Sequence, residues 1–333
     1  MNQLSLEKRA QIVELLVEGN SIRTAARIAD VSHNTVMRLL RLAGKACLKM
    51  HHEVVRNLPT KYVQSDELWA YVHARKGNLP DHLKGVQGYG DVWTWIAIDE
   101  ETRFVITWFV GNRRKASAKK FMEDLRYRVP NRFQLSTDKL KSYEEAIDQI
   151  FGNDIDYAQV EKIIITEETI KKKIYGHETE EDKKFREDIT ADEHLTNSED
   201  DEYESDKSAH RRYRPGRVIA FSEPVIVTGD PDKAHISTSY SERYNLTVRM
   251  TARRFTRLTN AFSKKFENLC YQIAISFVYY NFIRNHKSLR GTPAMALGLA
   301  DYFWEFKDIA MLTSKETIDK KPKALMPYNF SGE

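Results

Sequence analysis

The apolar pattern of this 333-residue chain changes period near residue 61, and no other feature limits its fold as strongly. Up to Gly44 apolar residues recur at helical spacing, as with Ile12, Leu15 and Leu16 in "LEKRAQIVELLVEG". Beyond residue 61 the period falls to two, the alternation of a half-buried strand. "DELWAYVHAR" predicts one strand, and "VWTWIAID", "EETR" and "FVITWFVG" predict a hairpin of two more. "SAKKFMEDLRYRV" restores helical spacing, with Phe121, Leu125 and Val129 on one face. "FQLST" predicts a short strand running into Asp138, and "LKSYEEAIDQIF" another helix. The order is β-β-β-α-β-α behind an all-helical head.

In the head, Gly19 and Asn20 stop the first helix, Ser21 caps "IRTAARIA", and Ser32 caps "HNTVMRLLRLAG", which is expected to end at Gly44. Two short helices joined by a tight turn, with Ala25 and Ala26 permitting close packing, predict a helix-turn-helix; a plain three-helix bundle is the alternative. Asp30 stands where such a turn often has Gly, although Asp tolerates left-handed backbone less well. Ser32, His33, Asn34, Thr35 and Arg38 lie on the leading side of the second short helix, and residues of those types reach base edges and phosphates.

Residues 152 to 217 break the pattern. Glu178 to Asp206 carry 14 acidic against 3 basic residues, so the rest of a chain of net charge +4 stands at +15. A body that basic implies a polyanionic partner. The block itself has little to bury and predicts a charged, partly disordered insertion. After strand-like "GRVIAFSEPVIVTGD" come two expected long helices, Ser239 to Phe266 and Asn268 to Arg284. The expected domains are 1–45 helix-turn-helix, 46–60 linker, 61–151 first part of the core, 152–217 insertion, 218–310 core completion and 311–333 tail. Two cysteines, Cys47 and Cys270, have no metal-ligand spacing, and no apolar run reaches the roughly 18 residues of a membrane span. No signal peptide is expected, and a soluble intracellular protein is.

Three carboxylates stand where chemistry could use them: Asp66 on the first strand, Asp138 ending the fourth, and Glu242 in the first turns of a basic helix. Each alone reads equally as a cap, a turn residue or a surface ion pair. Asp99, which ends a strand before "EETR", is explained by the hairpin turn and is left out. Together, acids on the first and fourth strands of β-β-β-α-β-α follow the plan of a ribonuclease H-like domain, in which those strands are neighbours. Such a cluster suits two Mg²⁺ ions roughly 4 Å apart clamping a phosphate. Asn245 and Arg249 share the helical face of Glu242, and Arg253, Arg254 and Arg257 would continue a phosphate track.

From about Gln64 to Asp301 the chain resembles the DDE transposases of the insertion sequence one family. The marks are "SDELWAYVHARKG", "WIAIDEETRFVITWFVGNR", "STDKLKSY", "YSERYNLTVRMTARRFTRLTNAFSKKFENL" and "YNFIRNHKSLRGTPAMALGLAD". The resemblance implies a ribonuclease H-like core with Asp66, Asp138 and Glu242 as catalytic and metal-binding acids, and Mg²⁺ or Mn²⁺ as cofactor. It implies DNA cleavage and strand transfer at terminal inverted repeats, target DNA as a second partner, and a homo-oligomer on DNA in a prokaryotic cytoplasm, at the nucleoid. Two alternatives stay open: an inactive or domesticated DNA-binding repressor, and a nuclease of the same fold without strand transfer. Where the family often has Gly after the second Asp, this chain has Lys139, which is expected to crowd or recharge the metal site. The insertion is a host-specific module, an autoinhibitory DNA mimic or padding.

Overall fold

In the computed structural model the described residues are 4–166, 217–256 and 259–315. The acidic centre of the insertion and residues 316–333 of the tail lie outside them. Helices α1 (Leu6–Val17), α2 (Ile22–Ile28) and α3 (His33–Val54) form the head. Ser5, Ser21 and Ser32 cap them, each side-chain oxygen accepting the N–H three residues on. Asp30 does take left-handed backbone (φ 50°), in the turn that brings Val31 back to bond Ala26.

The expected stop at Gly44 and the 46–60 linker are corrected by α3, which runs unbroken to Val54. Gly44 is there for space, not for a turn: a Cβ on it would meet Tyr271 Cβ at 2.3 Å and Cα at 2.6 Å. Tyr271 belongs to α7 (Phe266–Val278), so the glycine lets two helices cross almost backbone to backbone. The far end of α3 then packs on the sheet, with the His51 ring 4.4 Å from that of Trp108. Head and core share one continuous apolar cluster.

The sheet has six strands: β1 (Tyr62–Val72), β2 (Gly90–Asp99), β3 (Val105–Gly111), β4 (Gln134–Asp138), β5 (Asp156–Thr166) and β6 (Arg217–Thr228). Their order is β3-β2-β1-β4-β5-β6, with β1 parallel to β4 and β4 parallel to β5. β5 occupies residues read from sequence as the start of the insertion. Its parallel bonds to β4, and not its composition, make it part of the core, and the insertion departs from the far end of the β5–β6 hairpin. Helices α4 (Lys115–Arg128) and α5 (Lys141–Phe151) cover one face, where Trp95 meets Phe121 and Tyr143. α6 (Ser239–Thr251) and α7 cover the other, where Phe277 meets Trp108 and Tyr244.

The long helix expected from Ser239 to Phe266 ends at Thr251. Ala252 leaves helical geometry (ψ 101°) and it and Phe255 are buried, so the chain bends inward instead of running out into solvent. The second helix closes with a π-turn at Tyr279–Ile283, inside which Asn281 both donates to and accepts from the backbone of Val105 on β3, at 2.9 Å each way. Two short helices, α8 (Pro293–Ala296) and α9 (Phe306–Leu312), finish the described chain. Among the described residues no helix is long and apolar enough to cross a membrane.

Candidate functional site

The register of two parallel strands builds the site. β1 and β4 pair from Tyr62 opposite Gln134 to Gln64 opposite Ser136; two residues further the same register sets Asp66 beside Asp138. There β4 ends while β1 continues, so the strands part and the two carboxylates flank the opening. Oxygens of Asp66, Glu67 and Asp138 all lie within 4.8 Å of one another. Glu67 is the addition. Neighbours on a strand point to opposite faces, yet the longer side chain of Glu67 still brings an oxygen within the cluster.

Arg113, just past β3, holds these acids together. Its guanidinium lies 3.2 Å from Glu67 and 3.6 Å from Asp138, and 4.9 Å above the Trp93 ring. The Glu67 side chain is only 1% exposed. Burial, and then the charge of Asp138, push its carboxyl up to about 8 against the pull of Arg113. Burial works against the charge on Arg113 too, yet Glu67 and Asp138 hold it above its usual range. One oxygen of Glu67, Oε1, is buried without a hydrogen-bond partner. Hard carboxylate oxygens, one of them unsatisfied, fit a divalent cation.

On the opposite face Gln64 and Asp66, two apart on β1, fix α6. Gln64 Oε1 accepts the N–H groups of Tyr240 (2.8 Å) and Ser241 (3.4 Å), capping the helix from the sheet. Asn245 Nδ2 donates to Asp66 Oδ2 at 2.7 Å. Thus α6 meets the acids through Asn245, while Glu242, one turn earlier, is exposed and accepts from Thr238 Oγ1 at 2.6 Å. Glu242 is outside the group of oxygens within 4.8 Å.

The other sequence-derived residues divide. Ser32 caps α3, and Thr35 both bonds that cap and is half-buried; His33, Asn34 and Arg38 are exposed on the leading side of the helix. Arg249 is half-buried and Arg253 exposed. Arg254 is turned into the protein by the break after Thr251: its Nη1 donates to Ser263 Oγ at 2.7 Å, and burial takes its pKa down to about 10. Arg257 lies outside the described residues. Lys139 neither crowds nor recharges the acids, for its ammonium pairs with Glu161 on β5 at 2.8 Å. Asp99 takes up the hairpin turn, accepting the Thr102 N–H at 2.8 Å. His286, half-buried and edge-on at 4.7 Å against Tyr280, has its pKa lowered by burial to about 4.

The chain thus joins a helix-turn-helix to a ribonuclease H-like sheet with acids on its first and fourth strands. Family profiles agree: residues 2–41 match a helix-turn-helix domain, and residues 86–175 match a DDE domain of the IS240 type. Those two stretches of the chain are similar to a helix-turn-helix domain and to a DDE domain of insertion-sequence type. The DDE match contains Asp138 and stops short of Asp66 and Glu242. A DDE domain implies use of a divalent metal. No curated protein matches the chain. Among solved structures it is similar to a crystal structure of a pre-cleavage Mos1 transpososome, at 13% identity over 47% of this chain and 60% of that one. The TM-score there is 0.19, too low to bear on the fold.

Proposed function

We propose that this chain is an active DNA transposase that cleaves insertion-sequence ends and joins them to target DNA. The observation that carries the reading is the side-by-side placement of Asp66 and Asp138 with α6 docked on Asp66 through Asn245. In the first step water attacks the scissile phosphorus, the P–O3′ bond breaks, and the 3′-oxygen leaves as a hydroxyl. In the second that hydroxyl attacks a phosphodiester of target DNA and expels the target's own 3′-oxygen. Both are in-line displacements with no covalent enzyme intermediate.

Asp66, Asp138 and Glu242 would hold the cations, Mg²⁺ or Mn²⁺ and two per site, which when bound supply Lewis acidity at the phosphate. Asn245 donates to Asp66 Oδ2 and the Glu67 N–H donates to Oδ1 at 2.8 Å, which together fix the orientation of the carboxylate. Arg113 orients Asp138, and Glu67 anchors Arg113. Glu242 completes the set by leaving Thr238 and turning along α6 toward Asp66. Arg249 and Arg253 follow it on the helix as phosphate contacts, and His33, Asn34 and Arg38 read the terminal repeats. The domain plan is the helical head, the six-stranded core with its acidic insertion, and the C-terminal segment, assembled as a homo-oligomer on DNA in the cytoplasm.

The exposed position of Glu242 favours a second reading, a DNA-binding protein on a core without activity. One experiment separates them: DNA carrying the element's ends is incubated with and without Mg²⁺, beside a Glu242→Gln variant. Metal-dependent nicking at the ends that the variant loses, with binding intact, supports the transposase. Binding by both proteins with cleavage by neither leaves the second reading.

A further inference from the structure

The sheet carries a second feature that the acids do not use. Past Glu67, β1 has no β4 partner, and its residues Trp69 and Tyr71 lie on the Glu67 face with Trp93 directly across on β2. All three rings are half-exposed. Trp69 and Tyr71 are 5.7 Å apart and tilted, and Phe262 continues the row 5.2 Å beyond Tyr71. Two cations stand over the row: Arg75 is 5.1 Å above Trp69, and Arg113 is 4.9 Å above Trp93. Phe262 is fixed there by its neighbour Ser263, which bridges to Val72 and accepts the His73 N–H at 2.7 Å. A sheet face meant only for packing would lie under a helix. This one ends where α4 and α5 begin, leaving aromatic rings interleaved with arginine.

We propose that Trp69, Tyr71 and Trp93, with Arg75 and Arg113, form a stacking site for unpaired bases of a DNA strand leaving the acid cluster. The inference rests on the DNA reading above. Its occupant follows from charge and continuity: arginines select a polyanion, ring faces select bases, and Arg113 belongs to the row and to the acid cluster alike. Same-face residues on a strand are about 6.8 Å apart, a spacing that suits successive splayed nucleotides. A duplex hides its base faces, so the site takes a strand only where pairing has opened.

The test uses the full chain, a blunt duplex, and the same duplex with a short thymine arm carrying 2-aminopurine at the junction. The wild type is expected to bind the forked DNA about tenfold more tightly than the blunt one and to quench the 2-aminopurine by stacking. Trp69→Ala should lose the fork preference and the quenching while keeping blunt-duplex affinity; Trp69→Phe should keep both, and Arg75→Gln should weaken the fork alone. Circular dichroism identical to wild type excludes misfolding, and the Phe variant carries the test should Trp69→Ala fail to fold. Blunt-duplex binding without fork preference, or quenching unchanged in Trp69→Ala, overturns the stacking site and leaves the DNA reading intact. No binding to either DNA overturns both.

Discussion

At the scale of single residues, the pair Glu67–Arg113 determines how three carboxylates coexist in so small a space. Burial and Asp138 push the Glu67 carboxyl up to about 8, so it is an ion only in alkaline solution, where Arg113 is its cation partner. At pH 9, therefore, Arg113→Ala should cost about 3 kcal/mol in urea unfolding by stranding a buried charge, and less near pH 7, where Glu67 takes up a proton. Glu67→Gln in the same chain should recover much of that loss, so a double-mutant cycle reports strong coupling. Additive losses would show that the contact is incidental. Asn245→Ala should leave stability within about 1 kcal/mol yet weaken divalent-cation binding, measured by calorimetry, since it frees Asp66 from its orienting bond.

At the scale of elements, Gly44 sets the crossing of α3 and α7. In an isolated helix Gly44→Ala would gain about 1 kcal/mol. Here the new Cβ would stand 2.3 Å from Tyr271 Cβ and 2.6 Å from its Cα, so the variant should instead lose about 2 kcal/mol or more in chemical denaturation. Trimming the ring with Tyr271→Ala should not rescue it, because Cβ and Cα remain.

Legibility in the sequence also divides by element. β1 to β4 are legible as aromatic and β-branched runs bounded by turns, and α4 and α5 because each buries one face and shows it as a helical period. The pairing of Asp66 with Asp138 is legible because the strand order matches the ribonuclease H-like plan, in which β1 and β4 are neighbours. β5 is hidden because it leads straight into the charged insertion and reads with it, although its own closing run of Ile163, Ile164 and Ile165 is strand-like. The continuation of α3 is hidden because a glycine that makes room for a neighbour looks, in one dimension, like one that ends a helix. Glu67 is hidden by strand alternation, and the docking of α6 through Asn245 and not Glu242 depends on helix phase against β1, which only three dimensions fix.

At the scale of the molecule, head and core are one body. Arg9 of α1 donates to Ala310 O, Thr313 Oγ1 and Ser314 Oγ near the end of the described chain, at 3.1, 2.8 and 2.8 Å. Arg128 of α4 donates to the carbonyl of Val55 at 2.9 Å, closing the end of α3. Thermal unfolding followed by far-ultraviolet helix signal and by tryptophan emission should give coincident curves; two separated transitions would contradict a shared core. His51 sits at this joint between Trp108 of β3 and Arg128 of α4, beside His52. Burial, then the Arg128 charge, holds its pKa well below the ordinary value of 6.5, so the folded protein keeps it neutral. A base depressed in the folded state contributes stability that is complete above the unfolded pKa and is lost as pH falls below about 6.5 toward the folded value. His51→Gln should flatten that part of the stability–pH curve, with denaturation midpoints at several pH values as the measurement.

The unbroken α3 has one more consequence. Its 22 residues make a rod of about 33 Å, with exposed His33, Asn34 and Arg38 at one end and the sheet clamped to the other. On the proposed function, DNA gripped by those side chains would be held at a set distance and rotational phase from Asp66 and Asp138. The fold would then work as a gauge, the number of base pairs between the sequence recognised and the bond presented to the acids being written into the length of a helix.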